Sequence, residues 1–405
     1  ARPKSISLPV LSPARDRGDL LRTPVVGRLL RSSAFRLGVR LATLAGAVLI
    51  VIDGMLGIDE APMNLAGTLP WTHWRGVTVV LLVVLGNVAC FACPLIAPRS
   101  VLRRWISPRW RWPKRLRSKW LAVGLVVIWL VAYEAFDLWA SPVATAVLLV
   151  GLVAVATVVD LVFEGASFCR YVCPVGQYQM AVSTISPRTV VAMDVDRCAT
   201  CATKDCLTGG PGGPGCGLDL LLPSKSGNLD CTFCLDCVSA CPHDNVGLVR
   251  QVPGRDLAEA GWRSGIGRLS RRLDFGALLA VLAIGGIVNA AGMTGPVVEV
   301  LEQFSGGGSG TLVQAAFVIV SILVGLAVLT LAAIGDSSAP RKERLTRAGL
   351  AIAPLGAAMW VVHFGFHLVT GWPTAEASML RVAHDLGVSE RLPDRIMSCC
   401  VPPPD

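Results

Sequence analysis

Residues 231–242 read CTFCLDCVSACP, which spaces four cysteines as Cys231-x2-Cys234-x2-Cys237-x3-Cys241 and follows the last with Pro242. This is the run of spacings that ligates a [4Fe–4S] cubane. Three thiolates on one tight loop can cap three corners of the cube. The fourth opens the departing segment and points to a neighbouring cluster, and the proline sets the direction in which the chain leaves. Crosswise ligation of this kind needs a partner motif. It stands upstream as Cys198-x2-Cys201-x4-Cys206, followed by Cys216 after the stretch LTGGPGGPG. The pairing assigns Cys198, Cys201, Cys206 and Cys241 to one [4Fe–4S] cluster, and Cys231, Cys234, Cys237 and Cys216 to a second. CxxC pairs also build four-cysteine zinc sites; the unbroken run ending in Cys-Pro favours iron–sulfur.

The rest of the chain is apolar. Of 405 residues 53% are hydrophobic and 16% charged, with a mean hydropathy of +0.59, whereas soluble domains carry about 25% charged residues. A net charge of +9 raises the question of nucleic acid. The bases cluster between apolar runs, as in loops on the cytoplasmic side of a membrane protein, so a nucleic-acid partner is not expected. The first 35 residues contain no apolar core of signal-peptide length. Seven stretches approach the roughly 20 apolar residues that a membrane-crossing helix needs: about 37–57, 75–97, 120–140, 142–163, 274–295, 311–334 and 348–370. Nine Lys or Arg lie in 1–41, nine more in 99–119 and four in RKERLTR at 341–347, while the opposing loops are acidic or neutral. The positive-inside rule then places the N-terminus and the cysteine motifs in the cytoplasm and the tail from about 371 outside. Trp105, Trp110, Trp112 and Trp120 suit an interfacial belt.

The expected fold class is an α-helical integral membrane protein of about seven spans with an inserted cytoplasmic ferredoxin-like unit for two [4Fe–4S] clusters. Its expected parts are a basic cytoplasmic N-terminal segment (1–36), a four-helix membrane domain (37–164), a bacterial-type 2[4Fe–4S] ferredoxin domain (165–254), an amphipathic linker (255–273), a three-helix membrane domain (274–370) and an outer tail (371–405). Residues 255–272 read as a basic amphipathic surface helix, and 18–33 as a second one interrupted by Pro24 and Gly27.

Two further pairs sit where spans meet the cysteine side: Cys90-x2-Cys93-Pro94 and Cys169-x3-Cys173-Pro174. Four thiolates at one depth are candidates for a third metal centre or a redox disulfide; buried inert cysteine is the alternative. Paired membrane Cys-Pro motifs followed by a double-cluster insert resemble membrane polyferredoxins of the NapH, NosR and CcoG type, over about residues 75–250. The first pair is Cys-x2-Cys-Pro where that family usually has Cys-x3-Cys-Pro. The resemblance implies quinol-linked electron delivery to a redox partner complex or its maturation, or copper reduction for oxidase assembly.

Four of the five histidines, His73, His363, His367 and His384, map to the outer half; His243 lies on the cluster loop and reads as a solvated residue. His363 and His367, at i and i+4, share a helix face and are candidates for a haem, copper or quinone site; a packed pair is the alternative. Asp53, Glu134, Asp137 and Asp160 lie in or near spans, where an ionisable group is a candidate for proton handling or, near a helix end, simply a solvated one. Cys399 and Cys400 are adjacent in the tail and carry no assignment. The expected function is membrane-bound electron transfer through two [4Fe–4S] clusters, linking quinol or a cytoplasmic donor to a partner complex in a bacterial inner membrane. The alternatives are a copper-reducing assembly factor and an iron–sulfur redox sensor.

Overall fold

The computed structural model describes residues 18–391 and 393, apart from 88, 226, 260, 261, 264, 307–309 and 336–338. Its frame is a helical bundle. Helix α1, Ser33–Leu56, starts where the Ser32 hydroxyl accepts from Phe35 N, relieving one of the unpaired N–H groups of the first turn. Next come α2 (Arg75–Val84), α3 (Trp120–Ala135), α4 (Pro142–Val162), α5 (Leu273–Gly292), α6 (Thr311–Ile334), α7 (Arg341–Thr370) and α8 (Pro373–Asp385). Five of these, α1, α4, α5, α6 and α7, are long and apolar enough to cross a membrane, and α3 is a shorter apolar helix. Helices α1, α4 and α6 turn large apolar side chains outward, among them Leu49, Val158, Leu323 and Leu331. An apolar exterior of this extent fits lipid rather than water, so the chain is membrane-embedded.

Helix α5 is the axle. Most of its residues are buried, and it packs along α7, α3 and α6. Small residues allow the approach: a Cβ on Gly349 of α7 would lie 2.1 Å from the carbonyl oxygen of Gly276 in α5. Without a hydrophobic driving force between helices in lipid, such close packing supplies the attraction.

Successive helices run alternately between two ends. At one end Arg36 and Arg40 of α1 face Asp236, Lys119 before α3 pairs with Asp230, Asp160 of α4 pairs with Arg99, and Asp274 of α5 pairs with Arg272. At the far end Asp53 of α1 pairs with Arg381 of α8, Glu134 of α3 meets Asn289 of α5, and Trp71 Nε1 donates to Thr145 Oγ1 of α4.

Three sequence expectations need correction. The second apolar span is helical over 65–84, as Leu65–Thr68, a π-helical turn Leu69–Trp74 and then α2, and not over 75–97. It stops because Gly86 turns with φ +106°, where an added Cβ would strike Ser186 Oγ at 2.6 Å, and Asn87 then donates to Gln179 O. Residues 255–272 do not form an amphipathic helix. Arg255–Glu259 makes one helical turn and a two-stranded ribbon follows, Trp262–Arg263 against Gly267–Arg268. Residues 18–33 give a 3-10 turn at Leu20–Arg22 and a helix at Val26–Arg31, broken as expected at Pro24. That segment is not a free surface helix: Arg31 pairs with Asp244 at 2.5 Å and Asp19 Oδ1 accepts from Leu248 N. From 371 the chain continues as α8, packed on the far end.

Between α4 and α5 sits a small unit in which β1 (Arg188–Ala192) pairs antiparallel with β2 (Val246–Arg250), Arg188 opposite Arg250 and Ala192 opposite Val246. All eight clustered cysteines lie between these two strands.

Candidate cysteine centres

The two strands clamp a loop region built as an internal repeat. Lys204 and Leu235 both adopt left-handed backbone, with φ 51° and 59°. Each is followed by an aspartate and then a cysteine inside a short helix, Asp205–Thr208 or Asp236–Ala240. For a non-glycine residue that conformation costs about 1–2 kcal/mol, and six of the seven such residues described lie between 204 and 244. Strain gathered in this way is characteristic of loops wrapped tightly around a site. The Gly/Pro-rich stretch has a packing reason too: a Cβ on Gly212 would sit 2.2 Å from Ser239 O, so glycine lets this loop lie against the helix carrying Cys237.

The structure sorts the eight thiols into two sets. Cys198 lies within electrostatic reach of Cys201, Cys206 and Cys241. Cys237 lies within reach of Cys234, Cys231 and Cys216. Cys216 joins the second set although Cys216 N donates to Cys206 O at 3.0 Å, so the backbone ladder ties the two sets together. Asn245, which spacing alone does not single out, serves the first set: Asn245 Nδ2 donates to Cys198 Sγ at 3.2 Å and Asn245 N to Cys241 Sγ at 3.5 Å. Such N–H···S bonds stabilise negative charge on sulfur. The surroundings differ between sets. Burial pushes the Cys234 and Cys237 thiols well above their ordinary range and Cys216 up to about 11. At the surface, the Lys204 N–H holds Cys201 down.

The membrane pairs form a third set. Cys90 lies within electrostatic reach of Cys93, Cys169 and Cys173, and also of Cys234 in the second set. Cys93 and Cys173 share one backbone geometry, φ −65° with ψ 123° and 114°. Extended backbone is what a following proline demands, and Pro94 and Pro174 each start the next helix. Cys173 Sγ caps its helix by accepting from Gly176 N at 3.2 Å. The Arg99–Asp160 pair, at 2.8 Å, stands beside Cys93 and Cys169. None of the twelve described cysteines is joined in a disulfide. Among the described residues no three His, Cys, Asp or Glu side chains converge at the spacing of a single metal ion; a cubane spreads its thiolates wider than one ion does.

Neither a family model, nor a curated protein, nor a solved structure matches this chain. The chemistry therefore rests on its own residues.

Arg40 joins the second and third sets. Buried to all but 6%, it donates from Nε to Phe91 O, inside the Cys90–Cys93 loop, at 3.2 Å and from Nη2 to Cys234 O at 3.4 Å. Arg36, one turn earlier, lies within electrostatic reach of Cys234 and Cys237, and Thr43 Oγ1 donates to Ala92 O at 2.7 Å. In the sequence these arginines stand out only as topology signals.

At the far end His363 and His367 are both buried, with ring centroids 4.7 Å apart and nearly perpendicular. Two rings on one face of one helix cannot take opposite axial positions of a haem. His363 also packs on Trp360 and Phe364, while His367 lines a cavity of about 30 Å³ with Trp71, Arg75, Tyr133 and Trp139. His73 is held through both ring nitrogens, near Thr68 O and Trp372 O. His384 is half-buried beside Asp385, and His243 is exposed. Asp53 and Asp160 are consumed in buried ion pairs with Arg381 and Arg99, and Asp137 occupies a left-handed turn. Glu134 is buried against Asn289. Cys399 and Cys400 lie outside the described residues.

Proposed function

We propose that this chain is a multi-pass membrane electron carrier of a bacterial inner membrane, with its N-terminus and cysteine unit in the cytoplasm and about seven spans. Cys198, Cys201, Cys206 and Cys241 would hold one [4Fe–4S] cluster and Cys231, Cys234, Cys237 and Cys216 the other. The observation that carries this reading is the sorting of eight thiols into two crosswise sets inside strained, N–H-rich loops. The residues suit the group: thiol donors, sulfur-directed N–H groups and a shell of Phe233, Leu235, Val238 and Leu248 that excludes water. Clusters so held supply one-electron chemistry at potentials set by hydrogen bonds, charge and burial. The chain's own residues then do three things. The thiolates would hold iron, Asn245 donates N–H groups to the Cys198 and Cys241 sulfurs, and Arg36 and Arg40 place positive charge beside the second set. The Cys90, Cys93, Cys169 and Cys173 set extends the row toward the membrane, so a quinol or a membrane-bound redox partner suits its inner end and a soluble donor its outer end. A polyferredoxin relationship of the NapH, NosR and CcoG kind agrees with this layout.

The test is an iron, sulfide and copper count on anaerobically purified protein, with low-temperature spin resonance after reduction. About eight irons per chain and coupled S = 1/2 signals are expected for two cubanes. Zinc in place of iron, or little iron and no signal, would sink the reading. A second reading, a copper-handling assembly factor, rests on the four membrane cysteines lying within electrostatic reach of one another, though not at the spacing of a single ion. It requires copper that is lost on Cys90→Ala or Cys169→Ala while the iron stays.

A further inference from the structure

A second cavity, of about 240 Å³, opens beside the cysteine unit. Arg111, Arg117 and Arg170 line it together with two carboxylates, Glu164 and Asp219, and with Ser167, Trp112 and Tyr171. Trp112 and Tyr171 stack with centroids 5.1 Å apart and planes within 7°. The site is built and not a chance gap between loops. Trp110 N donates to Val162 O at 3.2 Å and Glu164 N to Trp110 O at 2.8 Å, lacing the basic segment onto the end of α4. Ala166 N donates to Gly217 O at 2.7 Å, and Gly165, at φ +73°, has no room for a Cβ over that same oxygen, 2.7 Å away.

Charge and level identify the occupant. Arg111 is answered by Glu164 at 3.1 Å and Arg170 by Asp219 at 2.6 Å. Arg117 gives its Nε to Trp112 O and has no carboxylate partner among the described residues. Arg104, Arg109, Lys114 and Arg115 on the same segment also have no carboxylate within ion-pair distance among the described residues, so the segment that supplies Arg111 and Arg117 carries a surplus of positive charge. Interleaved with these cations are exposed Trp105, Ile106, Trp110 and Trp120. The cavity sits where α3 begins and α4 ends, the level at which apolar helix gives way to polar loop, and the outward valines Val155 and Val158 of α4 run away from it.

We propose that this cavity binds the headgroup of an anionic phospholipid. A phosphodiester suits the unanswered Arg117 guanidinium, which can hydrogen-bond two of its oxygens at once. The stacked Trp112 and Tyr171 rings suit the glycerol and ester level, as aromatic side chains do at bilayer interfaces, and the acyl chains lie along α4. The site touches both inner cysteine sets through sequence neighbours, Arg170 next to Cys169 and Gly217 next to Cys216. A bound lipid therefore bridges the basic segment to the seam between them. This inference does not depend on what the cysteines hold.

The test uses the full chain, delipidated in neutral detergent and then titrated with phosphatidylglycerol or phosphatidylcholine under native mass spectrometry. One phosphatidylglycerol is expected to be retained in preference to phosphatidylcholine. Arg117→Gln should weaken that retention about fivefold, the worth of one basic residue at an anionic surface. Lys342→Gln, on the other basic loop, should leave it unchanged. Unaltered melting of Arg117→Gln would show that the loss is local, and Arg117→Lys should restore part of it through charge alone. Equal retention of both lipids, or no effect of Arg117→Gln, would overturn the proposal. A third arm adds inorganic phosphate: full displacement of the lipid would assign the cavity to soluble phosphate and overturn the lipid, whereas persistence of the lipid supports it.

Discussion

The first and second cysteine sets are built on one repeated turn but stand in different surroundings. Around Cys198, Cys201, Cys206 and Cys241 the chain is half open to solvent and rich in carboxylates, with Asp194, Asp196, Asp205 and Asp244 close in sequence. Cys231, Cys234, Cys237 and Cys216 also have carboxylates close in sequence, Asp219, Asp230 and Asp236, but buried Arg36 and Arg40 stand behind them and the membrane set lies beyond. One repeated turn thus serves a set on the outer side of the unit and a set backed by buried arginines and the membrane cysteines. Spacing chooses the group, and surroundings choose its energetics.

The sharpest way to break that comparison is to remove one set at a time. Cys237→Ala is expected to halve the iron content and leave the signal of the first set, and Cys206→Ala should do the reverse. If either variant empties both sets, the two are not separate sites. Next in size is Lys119→Met. Lys119 Nζ lies 2.8 Å from Asp230 Oδ1, and both are almost fully buried. A buried carboxylate left alone costs about 3–5 kcal/mol. Asp230 adjoins Cys231, so thermal unfolding in detergent should fall and iron should be lost from the second set first.

Smaller effects probe the energetics. Arg40→Met removes a buried positive charge beside Cys234, which favours the less negative, oxidised state. The second set's reduction potential should fall by about 60 mV, a tenfold change in a one-electron equilibrium, while the first stays put. Redox titration followed by spin resonance reads both on one sample, and Arg40→Lys should recover much of the shift. Asn245→Ala should lower the first set's potential by less, since it deletes the side-chain hydrogen bond to Cys198 but no charge, and leaves the backbone N–H of residue 245 on Cys241 Sγ. A larger shift in the second set than in the first would mean that the hydrogen bonds seen here are not what tunes it.

Much of this layout is legible in residue order. The apolar runs later seen as α1, α4, α5, α6 and α7 stand out by length and composition, because lipid-facing helices need an unbroken apolar exterior. The helix over 65–84 is not legible at its true place, since Pro70, Trp71, His73 and Arg75 make its first half look like a loop while 85–97 is apolar but turned by Gly86. The segment 255–272 imitates a helix because basic and apolar residues alternate in a short ribbon much as they would on one.

By itself the sequence determined the chemistry of short range: which cysteines share a loop, where proline ends a turn, which stretches seek lipid. Those are properties of neighbouring residues, and spacing records them. Only the tertiary structure decided which distant groups meet. It brought Cys90 and Cys93 to Cys169 and Cys173, laid Arg40 between two of the cysteine sets, and spent Asp53 on Arg381, more than three hundred residues away. A burial cost is settled by whatever partner the fold supplies, and no local pattern names that partner.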